Sequence, residues 1–212
     1  SRSTIPSVAI AGYTNAGKST LLNALTGADV LVEDALFATL DPTVRRTQTE
    51  DGRAYTLSDT VGFVSRLPTQ LVEAFRSTLE EVGEADVILH VVDAAHPDPI
   101  GQIQAVHSVL DTIEGARDIP ELIVFNKADL ASDEQRAFVR SLSERAVLVS
   151  AVTGEGISEL QTVIASMLPR PREVVDCVVP YIHGALIHRI HEEGEVLLEE
   201  YLGEGERIRA RV

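Results

Sequence analysis

The chain has 212 residues, enough for one full α/β domain and a small appendage. It is 44% hydrophobic and 24% charged, as in ordinary globular proteins, and no apolar run reaches the roughly 18 residues of a membrane span. Its 33 acidic and 18 basic side chains give a net charge of −15, which opposes binding of free nucleic acid. Cys177 is the single cysteine, so an internal disulfide and a cysteine-based zinc site are excluded; its apolar neighbours favour a core thiol.

The first predicted strand leads into the most specific pattern of the chain. Ile5 to Ala11 is apolar, which indicates a central strand, and Lys18 to Thr26 predicts a helix with leucines on one face. Between them lies G-x-x-x-x-G-K-S, from Gly12 to Ser19. The inward N–H groups of such a loop and the start of a helix attract polyphosphate. We therefore expect Lys18 to contact the β- and γ-phosphates and Ser19 to bind Mg²⁺.

Strand and helix patterns then alternate. Residues 28–43 have no sustained periodicity and predict a mobile loop, and an antiparallel edge hairpin turns at Asp51-Gly52. The predicted strands are Val44 to Glu50, Arg53 to Ser58, Val87 to Val92, Glu121 to Phe125 and Ala146 to Val149. The predicted helices run from about Thr69 to Val82, from Ser132 to about Ser143 and from Gly156 to Leu168, and one more follows the interruption at Pro97 and Pro99 and runs to about Ile113. This order predicts an α/β fold: a mostly parallel sheet with one antiparallel edge strand and helices on both faces.

The last part of the chain predicts a separate small unit. Residues 169–173 are rich in Pro and Arg and predict a stiff linker. Residues 174–212 predict a strand, a helix and two short strands, an α+β unit. About 40 residues are too few to bury an independent core, so we expect this unit to dock on the domain formed by residues 1–168.

Two further motifs follow predicted strands. Asp59-Thr60-Val61-Gly62 places a carboxylate at the carboxyl end of a strand, where open α/β sheets bind ligands. We expect Asp59 to hold Mg²⁺ through water, and the N–H of Gly62 to reach the γ-phosphate and respond to its loss. The second motif, Asn126 to Asp129, reads Asn-Lys-Ala-Asp.

The second motif selects a base. The Asp129 carboxylate can accept from two N–H groups that only the Watson–Crick edge of guanine offers together, and adenine would leave it unpaired. Sites built in this way can discriminate by roughly 10⁴-fold. We expect Asn126 to brace the loops, the stem of Lys127 to cover the base, and a backbone N–H at Ser150-Ala151 to bind the guanine oxygen.

Several segments together resemble the HflX family of the Obg–HflX group of translation-factor-type GTPases. In the first part of the chain they are Gly12 to Thr20, Phe37 to Thr43, Asp59 to Phe63, Asp93 to Pro97 and Asn126 to Asp129. In the last part they are Pro180-Tyr181, Gly184 to Leu186 and His191 to Val196. The general GTPase motifs are specific for GTP, whereas the segment beginning at Phe37 and the last part of the chain point to HflX.

The resemblance implies a P-loop GTPase domain followed by a small C-terminal domain, with GTP or GDP and Mg²⁺ as ligands. It implies that Thr39 joins Ser19 and Asp59 at the metal, and that Lys18, Thr39 and Gly62 are the catalytic residues. The motifs and the resemblance together assign nucleotide contacts to Gly12, Tyr13, Thr14, Asn15, Ala16, Gly17, Lys18, Ser19, Thr20, Phe37, Ala38, Thr39, Leu40, Asp41, Asp59, Thr60, Val61, Gly62, Asn126, Lys127, Ala128, Asp129, Ser150, Ala151 and Val152.

The resemblance also implies a biological setting. HflX-like proteins associate with the large ribosomal subunit, can split stalled ribosomes and are linked to recovery from stress. We expect a cytoplasmic monomer that associates with ribosomes or a membrane surface but has no membrane span. The family carries an N-terminal domain, and this chain starts Ser-Arg, without Met, directly before its first strand. We therefore expect a fragment.

The expected hydrolysis is in-line attack of water on the γ-phosphate. Two residues bear on its rate. Phe63 stands where Ras-like enzymes place a water-orienting Gln, so we expect slow intrinsic turnover, on the order of 10⁻³ s⁻¹ or below, until a partner completes the site. Related GTPases with Asn at the position of Asn15 can bind K⁺, which makes K⁺ a further candidate cofactor.

Other classes of protein remain open at this point. An ATP-using P-loop enzyme, such as a small-molecule kinase, would fit the first motif but not Asn126 to Asp129. A nucleotide-regulated binding module with negligible turnover is compatible with Phe63. Within the GTPases, a ribosome assembly factor of the Obg or Era type is the nearest alternative.

The histidines carry no clear chemical pattern. His90 lies inside an apolar strand and is expected to be a hydrogen-bonded core residue. His183, His188 and His191 are expected on a solvated face of the last predicted helix.

Overall fold

The computed structural model describes residues 5–27, 43–59, 82–170 and 173–212. Its main sheet has six strands: β1 Ser7–Gly12, β2 Thr43–Gln48, β3 Ala54–Asp59, β4 Val87–Asp93, β5 Glu121–Asn126 and β6 Val147–Leu148. They lie in the order β2-β3-β1-β4-β5-β6, and only the pair β2 and β3 is antiparallel. The predicted α/β fold is therefore confirmed, including its antiparallel edge strand.

Helices pack on both faces of this sheet: α1 Lys18–Thr26, α2 Pro99–Leu110, α3 Asp133–Ser141 and α4 Ile157–Met167. Because side chains alternate along a strand, those of β1 pack on both faces of the sheet. Val8 and Ile10 pack with α1 and α4, whereas Ala9 and Ala11 pack with α2. All four side chains are fully buried, as expected for a central parallel strand.

The residues after the main sheet form a second sheet of three antiparallel strands: β7 Val174–Val179, β8 Glu195–Tyr201 and β9 Glu206–Arg211, in the order β7-β9-β8. Helix α5, Gly184–Glu193, packs Ile190 against Ile208 and Ala210 of β9. Arg46 of β2 forms an ion pair with Glu192 of α5 at 3.5 Å, and its guanidinium also donates to the carbonyl of Glu192 at 3.4 Å. This contact links the two sheets.

Some boundaries and one burial prediction differ from the sequence-based expectation. The strand expected from Ala146 to Val149 pairs only at Val147–Leu148. Cys177 was expected in the core but is exposed, so that prediction is wrong. It lies on β7, an edge strand, and the short helix α5 covers only part of the sheet face. The helix expected from Thr69 and nearly all of the loop expected over residues 28–43 lie outside the described residues.

Helix ends follow the expected local chemistry. Ser132 caps α3: its hydroxyl accepts from the N–H of Gln135 at 3.2 Å, and the Gln135 side chain accepts from the N–H of Ser132 at 2.9 Å. No helix in the described parts of the chain is long and apolar enough to cross a membrane.

Candidate nucleotide-binding site

Four parallel strands end at the same edge of the main sheet, and each ends in a residue of a candidate site. Gly12 ends β1, Asp59 ends β3, Asp93 ends β4 and Asn126 ends β5. The carboxyl edge of an open α/β sheet is where such folds bind ligands, because the strand-to-helix loops diverge there. The topology therefore brings Asn126 into contact with Ala16 of the first motif, 110 residues earlier in the sequence.

The loop between β1 and α1 has a backbone that few residues can adopt. Gly17 has a φ of 89° and Asn15 a φ of 62°, both in the left-handed region. A Cβ atom on Gly17 would meet Nδ2 of Asn126, and one on Gly12 would lie 2.5 Å from the carbonyl oxygen of Val91. The glycines of the motif are therefore required by close packing against β4 and β5 as well as by the turn.

Lys18, the first residue of α1, is only 8% exposed. Burial lowers the pKa of its ammonium group, and the negative charge of Asp59 offsets part of that effect. A buried cation at the start of a helix, where backbone N–H groups are also free, is suited to hold an anion. The arrangement of loop, lysine and helix thus fits a polyphosphate group.

Ser19 and Asp59 are adjacent, although they come from different motifs. The hydroxyl of Ser19 donates to Oδ2 of Asp59 at 2.7 Å, and Asp59 is 2% exposed. A hydroxyl and a carboxylate are oxygen ligands of the kind that Mg²⁺ takes, with water and substrate phosphates completing its shell. The pair therefore fits the metal role expected for both residues.

Asn126 connects the phosphate loop to the loop after β6. Its Nδ2 group donates to the carbonyl of Ala16 at 3.1 Å, and its Oδ1 accepts from the N–H of Ala151 at 3.0 Å. This geometry agrees with the bracing role expected from the sequence. Lys127 reinforces the connection, since its ammonium group donates to the carbonyl of Asn15 at 2.7 Å and to Oδ2 of Asp93 at 3.0 Å.

Asp129 lies exposed beside the loop after β6. Its Oδ1 accepts from the hydroxyl of Ser150 at 2.6 Å, which orients the carboxylate. Behind it, Arg136 donates to the carbonyl of Ala128 at 2.7 Å and forms a bidentate ion pair with Glu155, at 2.7 and 3.1 Å. The supporting roles of Arg136 and Asp93 were not predicted from the sequence, although Asp93 lies at a strand end as Asp59 and Asn126 do.

The other expected site residues divide into two groups. Tyr13, Thr14 and Thr20 are half-buried around the phosphate loop, Ala151 contacts Asn126, and Val152 is exposed. The rest, including the expected third metal ligand and the γ-phosphate contact, lie outside the described residues: Phe37, Ala38, Thr39, Leu40, Asp41, Thr60, Val61 and Gly62, together with Phe63.

Comparisons with known proteins agree with these motifs. A family model described as 50S ribosome-binding GTPase matches residues 7–127. A protein named GTPase HflX from Caldanaerobacter subterraneus is 47% identical over 208 residues, which cover 98% of this chain and 47% of that protein. The GTPase HflX of Escherichia coli is 47% identical over 158 residues, covering 74% of this chain and 37% of its own length.

Solved structures show the same fold. A GTP-binding protein of Sulfolobus solfataricus, in complex with GDP, matches with a TM-score of 0.60 and 29% identity over 76% of this chain and 52% of that one. Era from Aquifex aeolicus, bound to GDP and AlF4⁻, matches with a TM-score of 0.64 over 79% of this chain and 58% of its own. At 23% identity, the Era match shows the fold alone.

The chain spans about half the length of the curated relatives that it matches. Its match to the family model nevertheless covers more than half of its own residues and includes the phosphate loop, Asp59, Asn126 and Lys127. The chain therefore belongs to the 50S ribosome-binding GTPase family and, within it, to the HflX group.

Proposed function

We propose that this protein is a Mg²⁺-dependent switch that binds GTP, hydrolyses it to GDP and phosphate, and acts on the large ribosomal subunit. The observation that carries the proposal is the pair of hydrogen bonds that the Asn126 side chain makes, donating to the carbonyl of Ala16 and accepting from the N–H of Ala151. They hold a phosphate-binding loop and a base-binding loop in one fixed relation. A site of that form recognises a whole nucleoside triphosphate.

Guanine specificity is assigned to Asp129. The carboxylate is exposed and oriented by the Ser150 hydroxyl at 2.6 Å, which leaves its remaining acceptor positions for a ligand. Guanine presents two N–H groups on one edge that can donate to a carboxylate. Both N–H groups expected to bind the guanine oxygen have protein partners: that of Ser150 donates to the carbonyl of Glu155 at 2.9 Å, and that of Ala151 to Asn126 at 3.0 Å. We therefore propose that one of them exchanges its partner for the guanine oxygen when nucleotide binds.

The metal role is assigned to Ser19, Asp59 and Thr39. The 2.7 Å contact between Ser19 and Asp59 supports the first two, since their oxygen atoms lie together beside the buried Lys18. When bound, Mg²⁺ neutralises charge on the β- and γ-phosphates. Lys18 adds a second positive charge there, and the N–H of Gly62 is assigned to the γ-phosphate.

The proposed hydrolysis is slow in the isolated chain. In-line attack by water needs a residue that orients the water, and Phe63 has no polar atom for that task. Asn15 offers a further control, since its side chain is exposed at the phosphate loop and its backbone adopts φ 62°. We propose K⁺ binding there, which would make hydrolysis faster in K⁺ than in Na⁺ buffer at equal ionic strength.

The proposed organisation is a GTPase domain of residues 1–168, a linker of residues 169–173 and a C-terminal domain of residues 174–212. The separate second sheet supports this division. The ribosomal partner rests on the description of the matching family, a 50S ribosome-binding GTPase. With a net charge of −15, any contact with ribosomal RNA would have to use a local surface or another part of the whole protein.

Nucleotide competition tests the base specificity. A fluorescent GDP analogue should be displaced by GTP and GDP but not by ATP or ADP. Asp129→Asn keeps an acceptor for the Ser150 hydroxyl and should weaken GDP binding about 10- to 150-fold, because one charged hydrogen-bond partner is lost. Asp133→Asn, an exposed carboxylate in the first turn of α3, is the matched control and should bind GDP normally. Displacement by ATP, or equal losses in both variants, would reject the assignment.

Hydrolysis measurements test the switch. The release of phosphate from GTP should be slow for the protein alone and should increase when large ribosomal subunits are added, whereas small subunits should have no effect. Full-length protein should cosediment with large subunits in a GTP analogue and dissociate in GDP. Fast turnover of the isolated chain would contradict the proposed role of Phe63, and unchanged turnover with ribosomal subunits would contradict the proposed partner.

A further inference from the structure

A second cluster of side chains lies away from the nucleotide loops, between helix α2 and the sheet. His90 lies on β4, Glu121 is the first residue of β5 and His107 lies on α2. Ile88, two residues before His90, is the register partner of Glu121, so His90 and Glu121 project from the same face of the sheet. Helix α2 covers this face, as Val106 packs with Ile88 in the core. The three side chains therefore converge although 31 residues separate His90 from Glu121.

The three polar ends lie close together. Nδ1 of His90 is 2.5 Å from Oε1 of Glu121, and Nε2 of His107 is 2.9 and 3.0 Å from its two carboxylate oxygens. One nitrogen of each histidine and one oxygen of Glu121 all lie within 4.8 Å of one another. The imidazole rings are 5.3 Å apart with an interplanar angle of 69°, so they face the carboxylate from different directions.

The charges around the cluster are compatible with a bound cation. The nearest cation on the lining, Arg117, is paired with Asp111 at 2.8 Å. No unpaired positive charge among these lining residues opposes a bound cation.

The cluster also has room for a solvent ligand. His107 and Glu121 line a cavity of about 190 Å³ with Asp111 and Arg117. The side chain of His90 is fully buried, whereas those of His107 and Glu121 are 43% and 28% exposed. An ion can therefore enter from the side of α2, and a water molecule can occupy a position that no protein atom fills.

We propose that His90, His107 and Glu121 form a binding site for a divalent transition metal ion of the Zn²⁺ class, with water as the fourth ligand. Two imidazoles, one carboxylate and one water make a tetrahedral set that zinc commonly takes. Bonds of about 2.0–2.2 Å in that geometry place ligand atoms about 3.3–3.5 Å apart. The Glu121 carboxylate must therefore move back by about 1 Å from Nδ1 of His90, and the two histidine nitrogens, which lie within 4.8 Å of each other, must reach the same spacing. The site would clamp helix α2 to strands β4 and β5.

Metal titration of the intact protein in excess Mg²⁺ tests the proposal. Calorimetry should show one equivalent of Zn²⁺ bound, and the unfolding temperature should rise with Zn²⁺ and then saturate. Co²⁺, used as a spectroscopic probe, should give the intense visible absorption of a four-coordinate site, and Zn²⁺ should displace it.

Variants locate the ion. His107→Gln and Glu121→Gln should each weaken Zn²⁺ binding by more than the 10- to 100-fold that loss of an outer-shell partner costs, because each removes a direct ligand. His191→Gln is the matched control, since His191 lies with Glu199 and Glu206 in a second histidine–carboxylate cluster on the small sheet. It should leave binding unchanged. His107→Cys supplies a thiolate instead and should add a sulfur-to-Co²⁺ charge-transfer band that the parent protein lacks.

The results of these experiments distinguish the proposed site from binding elsewhere. Absence of Zn²⁺ binding to the parent protein would overturn the proposal, as would binding that survives both His107→Gln and Glu121→Gln. Loss of binding in His191→Gln alone would move the ion to the small sheet and equally overturn it. If His107→Gln is poorly folded by circular dichroism, the charge-transfer band of His107→Cys decides: its presence places the ion at residue 107 and its absence rejects the site.

Discussion

Asn126 donates a side-chain hydrogen bond to the carbonyl of Ala16, 110 residues earlier in the chain, at 3.1 Å. The same amide accepts from Ala151 at 3.0 Å, and Asn126 is 2% exposed. Hydrogen bonds of this kind are strong in a buried setting and costly to leave unmade. The position of the first loop relative to the loop after β6 thus depends strongly on this side chain, with Lys127 as a second connection.

Replacing that side chain should weaken nucleotide binding. Asn126→Ala leaves the carbonyl of Ala16 and the N–H of Ala151 without this partner, which costs about 1–3 kcal/mol, or about 5- to 150-fold in the dissociation constant of GDP measured by fluorescence titration. Gln135→Ala is the control, because Gln135 also joins two segments, bonding Ser132 and Ala95 rather than Ala16 and Ala151. Normal GDP binding by Asn126→Ala would contradict the bracing role.

Gly17→Ala should destabilise the folded protein. At φ 89° an L side chain is strained, and its Cβ would also displace Nδ2 of Asn126. We expect a loss of about 1–3 kcal/mol in the free energy of unfolding, measured by urea denaturation, together with weaker GDP binding. Gly184→Ala is the control: Gly184 starts α5 in open space, so alanine there should be neutral or add up to about 1 kcal/mol. Equal stability of the two variants would argue against strain at Gly17.

Arg53 should contribute to stability through its buried side-chain contacts. Its Nη2 donates to the carbonyl of Ala165 on α4 at 2.8 Å, and its Nε to Asp51 at 3.0 Å, while its side chain is 8% exposed. Arg53→Ala should lower the free energy of unfolding by about 1–3 kcal/mol in urea denaturation, because it frees the β2–β3 hairpin from α4. Arg45→Ala, an exposed residue of the same hairpin, should stay within about 0.5 kcal/mol of the parent. A parent-like Arg53→Ala would show that the contact carries little free energy.

Tyr55 should make the protein sensitive to alkaline pH. Burial raises the pKa of its phenol to about 12 from 10.0, so the unfolded chain loses this proton at a lower pH than the folded one. Stability should therefore fall as pH rises above 10. Tyr55→Phe removes this dependence and should gain about 1.4 kcal/mol relative to the parent between pH 9 and pH 11 in urea denaturation. The same pH dependence in both proteins would exclude Tyr55 as its source.

Much of the fold was predictable because its signals are local. Apolar strands, leucine-faced helices, the Ser132 cap and the Asp51-Gly52 turn are all set by residues close together in sequence, and their order implies parallel crossovers. Local signals failed at the small sheet. The apolar residues next to Cys177 in sequence predict a core position, but its exposure depends on how much of the sheet face α5 covers.

The candidate site shows the same division. The sequence by itself determined the motifs that predict phosphate, metal and base chemistry, because each motif occupies fewer than ten residues and follows a strand. Tertiary structure alone decided that Ser19 reaches Asp59, that Lys127 joins Asn15 to Asp93, and that Arg136 supports the base loop. It also decided that His90 and His107 share Glu121. The physical reason is that such contacts depend on strand order, register and helix rotation, which are set by packing of the whole core and leave no periodic trace in the sequence.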